Sequence, residues 1–458
     1  MQRVMKFGGS SLADAARLRQ VAALVREAGD SSPVVVLSAM GKTTDALFRA
    51  ASAAREGNSA SALEHARSVF AAHAAVALDL FSEEIPIDLV RSLDGSREEL
   101  EQILRGVSLL RELSPRSMDS IASLGERLST QMLSAVLERE EFPVTLFDVR
   151  AVMCTDARFG RAQPRMDVVR ERAKLMLAPM CAPGRALITQ GYIGATEEGV
   201  TTTLGRGGSD YSAAILGAAL AVDEVQIWTD VEGVLTADPR LVPGALPIDE
   251  LSFAEAAELA AFGAKVLHPA TIQPAVEAGI PVTVRHTQRP RGRFTTIRGD
   301  VKSLRPVTAL ATRGPVTVLT VTSTRMLEQS GFLAGLFEVF GRLEVSIDLI
   351  ATAEVSVSMT VERDAPVEEL RAAISRFAKV EVSENRAIVA VVGERLKQTQ
   401  GLAARIFSAL SDINIEMISM GSNEINLSLV VEDRLAAETV RRLHGVLFED
   451  PLRALGRP

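Results

Sequence analysis

The last third of the chain contains an internal repeat, which constrains its fold more than any other feature of the sequence. A constant offset of 70 residues pairs chemically similar positions. The pairs are Gly331 with Gly401, Phe337 with Phe407, Val345 with Ile415, Ile347 with Met417, Glu354 with Glu424, Ser358 with Ser428, and Glu362 with Glu432. A fixed period of this kind indicates two copies of one module. Each copy has the pattern of a strand, an amphipathic helix and two alternating strands, which predicts a small α+β sandwich with its helices on one face.

The part before the repeat has a different pattern, in which short apolar strands alternate with helical stretches. The strands are predicted at 33–38, 143–147, 186–189, 224–229 and 280–284. Such alternation is typical of an α/β fold with a mostly parallel sheet covered by helices on both faces. The stretch from about 60 to 140 is helical almost throughout, which predicts a helical lobe inserted into the sheet domain. A capping box from Ser252 to Glu255 predicts that a helix starts there.

Two glycine-rich turns carry the signs of an anion-binding site. The first follows a strand that ends near Lys6, and a helix comes after it. The second contains Gly205, Gly207 and Gly208, whose missing Cβ atoms allow backbone N–H groups to approach an anion. Ser209 and Asp210 are placed to cap the helix that follows. Because ligands of open α/β sheets bind at the carboxyl ends of the strands, Lys6 is placed to reach a phosphate.

Composition excludes several classes of protein. The chain has 458 residues, 47% of them hydrophobic, and a net charge of −8, so it is globular and is not expected to bind nucleic acid. Two cysteines and five scattered histidines show no metal-ligand spacing, and no metal site built from side chains is expected. We expect no membrane contact and a cytoplasmic location, since no apolar run is long enough to span a bilayer.

Seven motifs, in one order from end to end, resemble those of the aspartate kinase family, most closely its monofunctional, lysine-sensitive members. They are KFGGSS at 6–11, LSAMGKTTD at 37–45, SLGERLS at 123–129, RFGRAQP at 158–164, TTTLGRGGSDYSAA at 201–214, WTDVEGVLTADPR at 228–240 and FGAKVLHPAT at 262–271. The resemblance implies an amino-acid-kinase catalytic domain at 1–296, a linker at 297–306 and two ACT domains at 307–384 and 385–458. Strand exchange between the two ACT domains is left open.

The resemblance also implies a reaction, in which MgATP phosphorylates the side-chain carboxylate of L-aspartate. Lys6 would stabilise the transferring phosphoryl group and Asp210 would orient Lys6. No general base is needed, because the carboxylate that attacks is already ionised. Magnesium would be held mainly by the phosphates of ATP. The residues implied for aspartate are Ser38, Thr44, Glu126, Arg206 and Ser209, with Glu126 for the ammonium group and Arg206 for the α-carboxylate.

A second set of residues is implied for ATP. It comprises Lys6, Gly8, Gly9, Ser10, Thr229, Asp230, Leu235, Arg240 and Lys265. The family usually has a tyrosine where this chain has Leu235, so contacts with the adenine are expected to be weaker here.

The first copy of the repeat is implied to bind an effector. Asp348 has no counterpart in the second copy, where Ile418 takes its place, and a carboxylate there favours lysine as an allosteric inhibitor. The implied pocket consists of Met326, Val345, Ser346, Ile347, Asp348, Thr352 and Glu354. Glu328 and Gln329 differ from the lysine-sensitive pattern, so threonine or no effector remains an alternative. A homodimer through this copy, or a dimer of such dimers, is expected.

Two alternatives to an aspartate kinase stay open at this point. One is another amino-acid kinase, acting on glutamate or acetylglutamate. The other is a catalytically silent amino-acid sensor, which the two ACT-like copies allow but the retained charges Lys6, Arg206 and Asp210 argue against.

Overall fold

The structure, a computed structural model, describes residues 2–82, 84–263, 269–299, 301, 305–327, 330–420 and 424–449. Its strands are β1 (Arg3–Phe7), β2 (Val34–Leu37), β3 (Val144–Phe147), β4 (Ala186–Gln190), β5 (Ile193–Ala195), β6 (Thr201–Thr203), β7 (Glu224–Thr229), β8 (Val234–Leu235), β9 (Pro247–Ile248), β10 (Glu250–Ser252), β11 (Val282–His286), β12 (Thr295–Arg298), β13 (Ala309–Thr322), β14 (Ile350–Thr352), β15 (Ser356–Glu362), β16 (Lys379–Val392), β17 (Met417–Met420) and β18 (Asn426–Glu432). Its α-helices are α1 (Ala15–Glu27), α2 (Thr43–Arg55), α3 (Ser59–Phe81), α4 (Ile87–Leu110), α5 (Pro115–Arg139), α6 (Met166–Arg172), α7 (Gly208–Leu220), α8 (Phe253–Ala261), α9 (Pro269–Glu277), α10 (Phe332–Arg342), α11 (Val367–Ile374), α12 (Leu402–Ala409) and α13 (Asp433–His444).

The chain forms two compact units, Met1–Val234 with Val266–Asp300 and Leu235–Lys265 with Val301–Pro458. The predicted catalytic domain, 1–296, differs from the first unit in two places: 297–300 also belongs to the first unit, and 235–265 packs with the carboxyl-terminal part. The physical reason for this packing is the burial of apolar side chains: Ala237 and Val242 are buried in the same core as Leu310, Val389 and Leu443. Among the described residues, no helix has both the length and the apolar character needed to cross a membrane.

The first unit is built on a mostly parallel sheet with strand order β12, β11, β7, β1, β2, β4, β3. Of the neighbouring pairs, only β11 with β12 is antiparallel. Since β2 and β7 lie on opposite sides of β1, the strand order reverses at β1, and α/β proteins bind ligands at the carboxyl ends of strands at such a point.

Helices cover both faces of this sheet, as the sequence pattern predicts. Helices α1 and α5 share a buried core with Met5 and Phe7 of β1. Helix α7 lies on the other face, where a Cβ on Gly217 would stand 2.6 Å from Val225. The predicted helical lobe is also present: α2, α3, α4 and α5 pack around a separate core that includes Leu47, Leu104 and Leu124.

The second unit contains a six-stranded antiparallel sheet with strand order β14, β15, β13, β16, β18, β17. The repeat is visible in its geometry, because β16 begins 70 residues after β13, β18 begins 70 residues after β15, and Gly331 and Gly401 precede equivalent helices with φ of +91° and +78°. The fold class predicted from the sequence, an α/β sheet domain with a helical insertion followed by α+β modules, is confirmed.

The two modules share their long central strands. The amino-terminal part of β13, Ala309 to Arg313, pairs with Ile388 to Val392, and its carboxyl-terminal part, Val318 to Thr322, pairs with Lys379 to Ser383. The predicted boundary between residues 384 and 385 therefore falls inside β16. Both long strands run through both modules, so a cut at that position does not separate two independent sheets.

Candidate active site

Lys6 lies near the carboxyl end of the central strand β1. Its neighbours Met5 and Phe7 are buried in the core between the sheet and α1, while the side chain of Lys6 is about one-tenth exposed. Its Nζ atom lies 2.6 Å from Oδ1 of Asp210. A buried lysine needs a negative partner, and Asp210 supplies it. The pair places one cation and one anion at the point where the strand order of the sheet reverses.

Asp210 belongs to the first turn of α7, and its role differs from the predicted cap. The helix begins at Gly208 after Gly207, which has φ of +72°, and no side chain among the described residues caps it. The prediction that Ser209 and Asp210 cap this helix is therefore wrong, because the helix starts before them. Asp210 is free to pair with Lys6, and its charge is also favoured by the helix dipole. Ser209 is buried, and a Cβ on Gly191 would lie 2.6 Å from its Cβ atom.

The glycine turn after β1 forms a short 3₁₀ helix, Gly9–Leu12. The N–H of Gly8 donates to the carbonyl of Trp228, and the N–H of Gly41 donates to the carbonyl of Gly9. A side chain at Gly9 is excluded, because its Cβ would lie 2.7 Å from the carbonyl oxygen of Ala39. The turn is thus held tightly between the carboxyl ends of β2 and β7.

Glu126 is a buried carboxylate on α5. Its Oε1 accepts a hydrogen bond of 3.1 Å from the N–H of Ala39, just after β2, and its Oε2 has no hydrogen-bond partner among the described residues. Burial raises the pKa of Glu126 to about 8, although the hydrogen bond from Ala39 and the nearby charge of Lys6 act in the opposite direction. An orphaned buried oxygen of this kind is costly, and a cationic ligand would satisfy it.

The remaining residues predicted for aspartate are less constrained by the structure. Ser38 is half-buried, and its carbonyl accepts a hydrogen bond of 2.7 Å from Ser129 on α5. Thr44 is half-buried in the first turn of α2. Arg206 is exposed and has neither a hydrogen bond nor an ion pair with the described part of the chain. Its guanidinium is thus available to a ligand.

Beyond Lys6 and the turn of Gly8, Gly9 and Ser10, the residues predicted for ATP fall into three groups. Thr229 is the last residue of β7 and Asp230 follows it, and the hydroxyl of Thr229 donates to Oδ1 of Asp230 over 3.1 Å. Leu235 and Arg240 belong to the second unit, and Arg240 forms an ion pair with Asp238 while remaining largely exposed. Lys265 lies outside the described residues, as do Glu328 and Gln329 of the predicted effector region.

The sequence interpretation missed Asp119, a second buried carboxylate on α5. It accepts hydrogen bonds from the N–H of Gly160, the N–H of Thr203 and the hydroxyl of Thr203, all between 2.7 and 2.9 Å. It therefore ties the loop around Gly160 to β6, the strand that leads into the glycine loop of Arg206. The available signal was its spacing of seven residues from Glu126, which places both carboxylates on one face of a helix.

Asp348, predicted to bind the effector, already has a partner in the structure. Its Oδ1 lies 2.9 Å from Nη1 of Arg313, and its Oδ2 has no hydrogen-bond partner among the described residues. Burial raises the pKa of Asp348, and the charge of Arg313 opposes this shift. Of the other predicted pocket residues, Met326, Val345 and Ile347 pack against the core of the first module, while Ser346, Thr352 and Glu354 are exposed.

Comparison with known proteins agrees with this geometry. The model of the amino acid kinase family matches residues 1–286, and that of the ACT domain matches 389–447. Lysine-sensitive aspartokinase 3 of Escherichia coli is 39% identical over 97% of this chain and 99% of its own length. Aspartokinase 2 of Arabidopsis thaliana, a chloroplast protein, is 36% identical over 98% of this chain and 85% of its own length.

Solved structures give the same result. Aspartokinase III of E. coli in complex with aspartate and ADP superimposes with a TM-score of 0.81 at 38% identity, covering 98% of this chain and 100% of the other. The same enzyme in complex with lysine and aspartate gives a TM-score of 0.78 at 39% identity, covering 98% and 99%. The chain therefore belongs to the amino acid kinase family. Its full-length similarity to aspartokinases makes it, within that family, an aspartate kinase.

Proposed function

We propose that the edge of the sheet around Lys6 transfers the terminal phosphoryl group of ATP to the side-chain carboxylate of L-aspartate, giving 4-phospho-L-aspartate. This is the entry step to the synthesis of lysine, threonine and methionine. The observation that carries the proposal is the ion pair between Lys6 and Asp210 at the switch point of the sheet. Phosphoryl transfer needs positioning and charge stabilisation more than covalent chemistry, and Lys6, held by Asp210, supplies a fixed positive charge.

The amino-acid end of aspartate is proposed to lie between opposite charges. Its ammonium group would donate to the unpartnered Oε2 of Glu126, and its α-carboxylate would pair with the exposed guanidinium of Arg206. The hydroxyls of Ser38, Thr44 and Ser209 are proposed as further donors. This arrangement binds both charged groups of the amino-acid end and leaves the side-chain carboxylate free to attack the terminal phosphorus of ATP.

The nucleotide is proposed to contact the turn at Gly8, Gly9 and Ser10 through its phosphates. The N–H of Gly8 already donates to the carbonyl of Trp228, so the N–H groups of Gly9 and Ser10, which begin the short helix, are the proposed donors. Further contacts are proposed for Thr229, Asp230, Leu235, Arg240 and Lys265. In the described part of the chain, no three His, Cys, Asp or Glu side chains gather as a metal cluster. Magnesium is commonly held by substrate phosphates and one or two carboxylates, and Asp210, which also pairs with Lys6, is the carboxylate proposed to lie near it.

Regulation by lysine is proposed for the first module. The support is the carboxylate of Asp348, whose buried Oδ2 has no hydrogen-bond partner in the part of the chain that the structure describes and could accept an ammonium group. A homodimer through this module is proposed as well, because β14 is an outer strand of its sheet and exposes Ile350. The ACT domain boundaries at 307–384 and 385–458 and a cytoplasmic location stay predictions.

The test of the function is a hydroxamate assay with ATP, magnesium and hydroxylamine, which traps an acyl phosphate. We expect product with L-aspartate and none with glutamate or acetylglutamate. Turnover with one of those acids but not aspartate would contradict the substrate assignment. Binding of amino acid without any product would instead favour the silent sensor.

A further inference from the structure

The segment proposed to contact the nucleotide, Leu235 to Arg240, belongs to the second unit, which also contains both ACT-like modules. Ala237 is buried in the core of the second module, together with Val389 of β16 and with Leu443 and Leu447 at the carboxyl-terminal end of the described chain. The conformation of this segment therefore depends on its packing against β16 and the carboxyl-terminal helix α13.

Thr236 is the anchor of the segment, and each of its polar groups has a partner in the same unit. Its N–H donates to the carbonyl of Leu246, and its carbonyl accepts from the N–H of Leu310 at the start of β13, both over 2.8 Å. Its hydroxyl oxygen accepts a hydrogen bond of 2.8 Å from the N–H of Leu246 and lies 2.9 Å from Nε2 of His444. Thr236 is 3% exposed, so none of these bonds can be replaced by water at low cost.

His444, the last residue of α13, is fully buried and has partners at both ring nitrogens. Nδ1 lies 3.0 Å from Oε1 of Glu449, and the ring lies on Phe448 with centroids 4.8 Å apart. A carboxylate only accepts hydrogen bonds, so Nδ1 donates to Glu449. The second hydrogen bond joins Nε2 to the hydroxyl of Thr236, so Glu449, His444 and Thr236 form one chain of hydrogen bonds.

We propose that His444 is a positioning residue for ATP, which acts by holding Thr236 and so fixes the adjacent Leu235 and the nearby Arg240. The inference rests on the proposed nucleotide role of those two residues. It means that the second module contributes directly to the affinity for ATP even when no effector is bound. Thr236 contacts Leu310 and His444, and Leu310 belongs to the core that includes Val389 and Leu443. Ile347, next to Asp348, packs against the separate core that includes Leu319 and Val357.

The experiment measures kcat and both KM values by hydroxamate formation in the full-length enzyme. Thr236→Val keeps the shape of the side chain and removes the hydroxyl, and His444→Phe keeps an aromatic ring against Phe448 and removes both hydrogen bonds. Each is expected to raise KM for ATP about tenfold, with kcat and KM for aspartate changed by less than about twofold. Thr236→Ser retains the hydroxyl and is expected to restore KM for ATP to within about twofold of the unmodified enzyme.

The matched control is Thr439→Val in the same helix as His444. Thr439 is also fully buried, and its hydroxyl donates within the helix, to the carbonyl of Leu435 one turn earlier. Its KM for ATP is expected to stay unchanged. Because KM does not depend on the folded fraction of a preparation, loss of stability alone cannot raise KM for ATP while leaving KM for aspartate unchanged. If Thr236→Val and His444→Phe match Thr439→Val, the positioning role is wrong.

Arg240→Ala separates this inference from the function on which it rests. A raised KM for ATP in Arg240→Ala, with normal values in Thr236→Val and His444→Phe, would contradict the positioning role alone. An unchanged KM in Arg240→Ala would contradict the proposed nucleotide role of the segment itself.

Discussion

Two buried carboxylates, one in each unit, differ in how they are prepared for a positive charge. Glu126 of the catalytic unit accepts one hydrogen bond from a neutral N–H group and leaves Oε2 unpartnered among the described residues. Asp348 of the regulatory unit also leaves one oxygen unpartnered, but its other oxygen lies 2.9 Å from Arg313. The first carboxylate is thus poised for a proton or an ammonium group, while the second already faces a permanent cation, Arg313, which it shares with Glu362.

This difference matters for the two amino acids that the units are proposed to bind. A carboxylate with a pKa of about 8 can exchange its proton for a substrate ammonium group at neutral pH. A carboxylate beside an arginine remains charged more readily, and an ammonium group adds to an existing ion pair. We therefore expect the affinity for aspartate to depend on pH more steeply than inhibition by lysine does.

The largest expected effect comes from removing the cation that faces both Glu126 and Asp210. Lys6→Ala should lower kcat about 10²- to 10³-fold, because charge stabilisation of the transferring phosphoryl group is lost. Steady-state hydroxamate assays measure this, with the melting temperature as the folding control. A variant with near-normal kcat would remove Lys6 from the mechanism.

Glu126→Gln tests the catalytic side of the comparison. The amide keeps the size of the side chain and an acceptor for the N–H of Ala39, but it cannot offer a negative charge to the substrate. KM for aspartate should rise about thirtyfold with a smaller change in KM for ATP, as expected for loss of a charge-assisted hydrogen bond. If KM for ATP rose instead, Glu126 would belong to the nucleotide subsite.

Arg206→Ala should raise KM for aspartate about tenfold and leave kcat nearly unchanged. Arg206 is expected to hold the α-carboxylate equally in the ground state and the transition state. Its removal therefore weakens substrate binding without slowing the chemical step. Arg206→Lys is the matched variant, and it should recover only part of the affinity because it lacks the bidentate fork. A main effect on ATP would reverse the assignment of the two subsites.

Asp348→Asn tests the regulatory side, with the smallest expected effect. The lysine concentration for half-inhibition should rise about fivefold, because Arg313 and the other pocket residues remain. Basal activity should not change, and the matching substitution in the second module, Ile418→Asn, should leave inhibition as it was. Equal inhibition of Asp348→Asn and the unmodified enzyme, or no inhibition of either, would place the effector elsewhere or exclude lysine.

The sequence predicted much of the fold because periodic patterns reflect local geometry. The offset of 70 residues recurs in the starts of β13 and β16, and the capping box from Ser252 to Glu255 is present at the start of α8. The ion pair of Asp348 with Arg313 was not predictable, since it joins residues that only strand packing brings together. The contact between Thr236 and His444 was not predictable either. It forms because the segment after β7 packs into the core that contains Val389 and Leu443.

The candidate active site was also predictable in part: the sequence motifs indicated which residues meet, but not how each is buried. Motif residues such as Lys6 and Asp210 do meet, but the orphaned oxygen of Glu126 is a property of burial, which no local pattern of residues reports. The start of α7 was misplaced because a serine and an aspartate resemble a cap, whereas Gly207 with its positive φ ends the loop before them.

The most direct test of the account is the pH dependence of KM for aspartate, measured between about pH 6 and 9 in the unmodified enzyme and in Glu126→Gln. Since burial raises the pKa of Glu126 to about 8, the free enzyme holds a proton there below that pH, and binding of the substrate ammonium group must release it. KM for aspartate should therefore fall as the pH rises, by up to tenfold per unit, and level off above about pH 8. Glu126→Gln should show a high KM with no such dependence. A KM that does not vary with pH in the unmodified enzyme, or that varies equally in Glu126→Gln, would contradict the claim that this carboxylate receives the substrate.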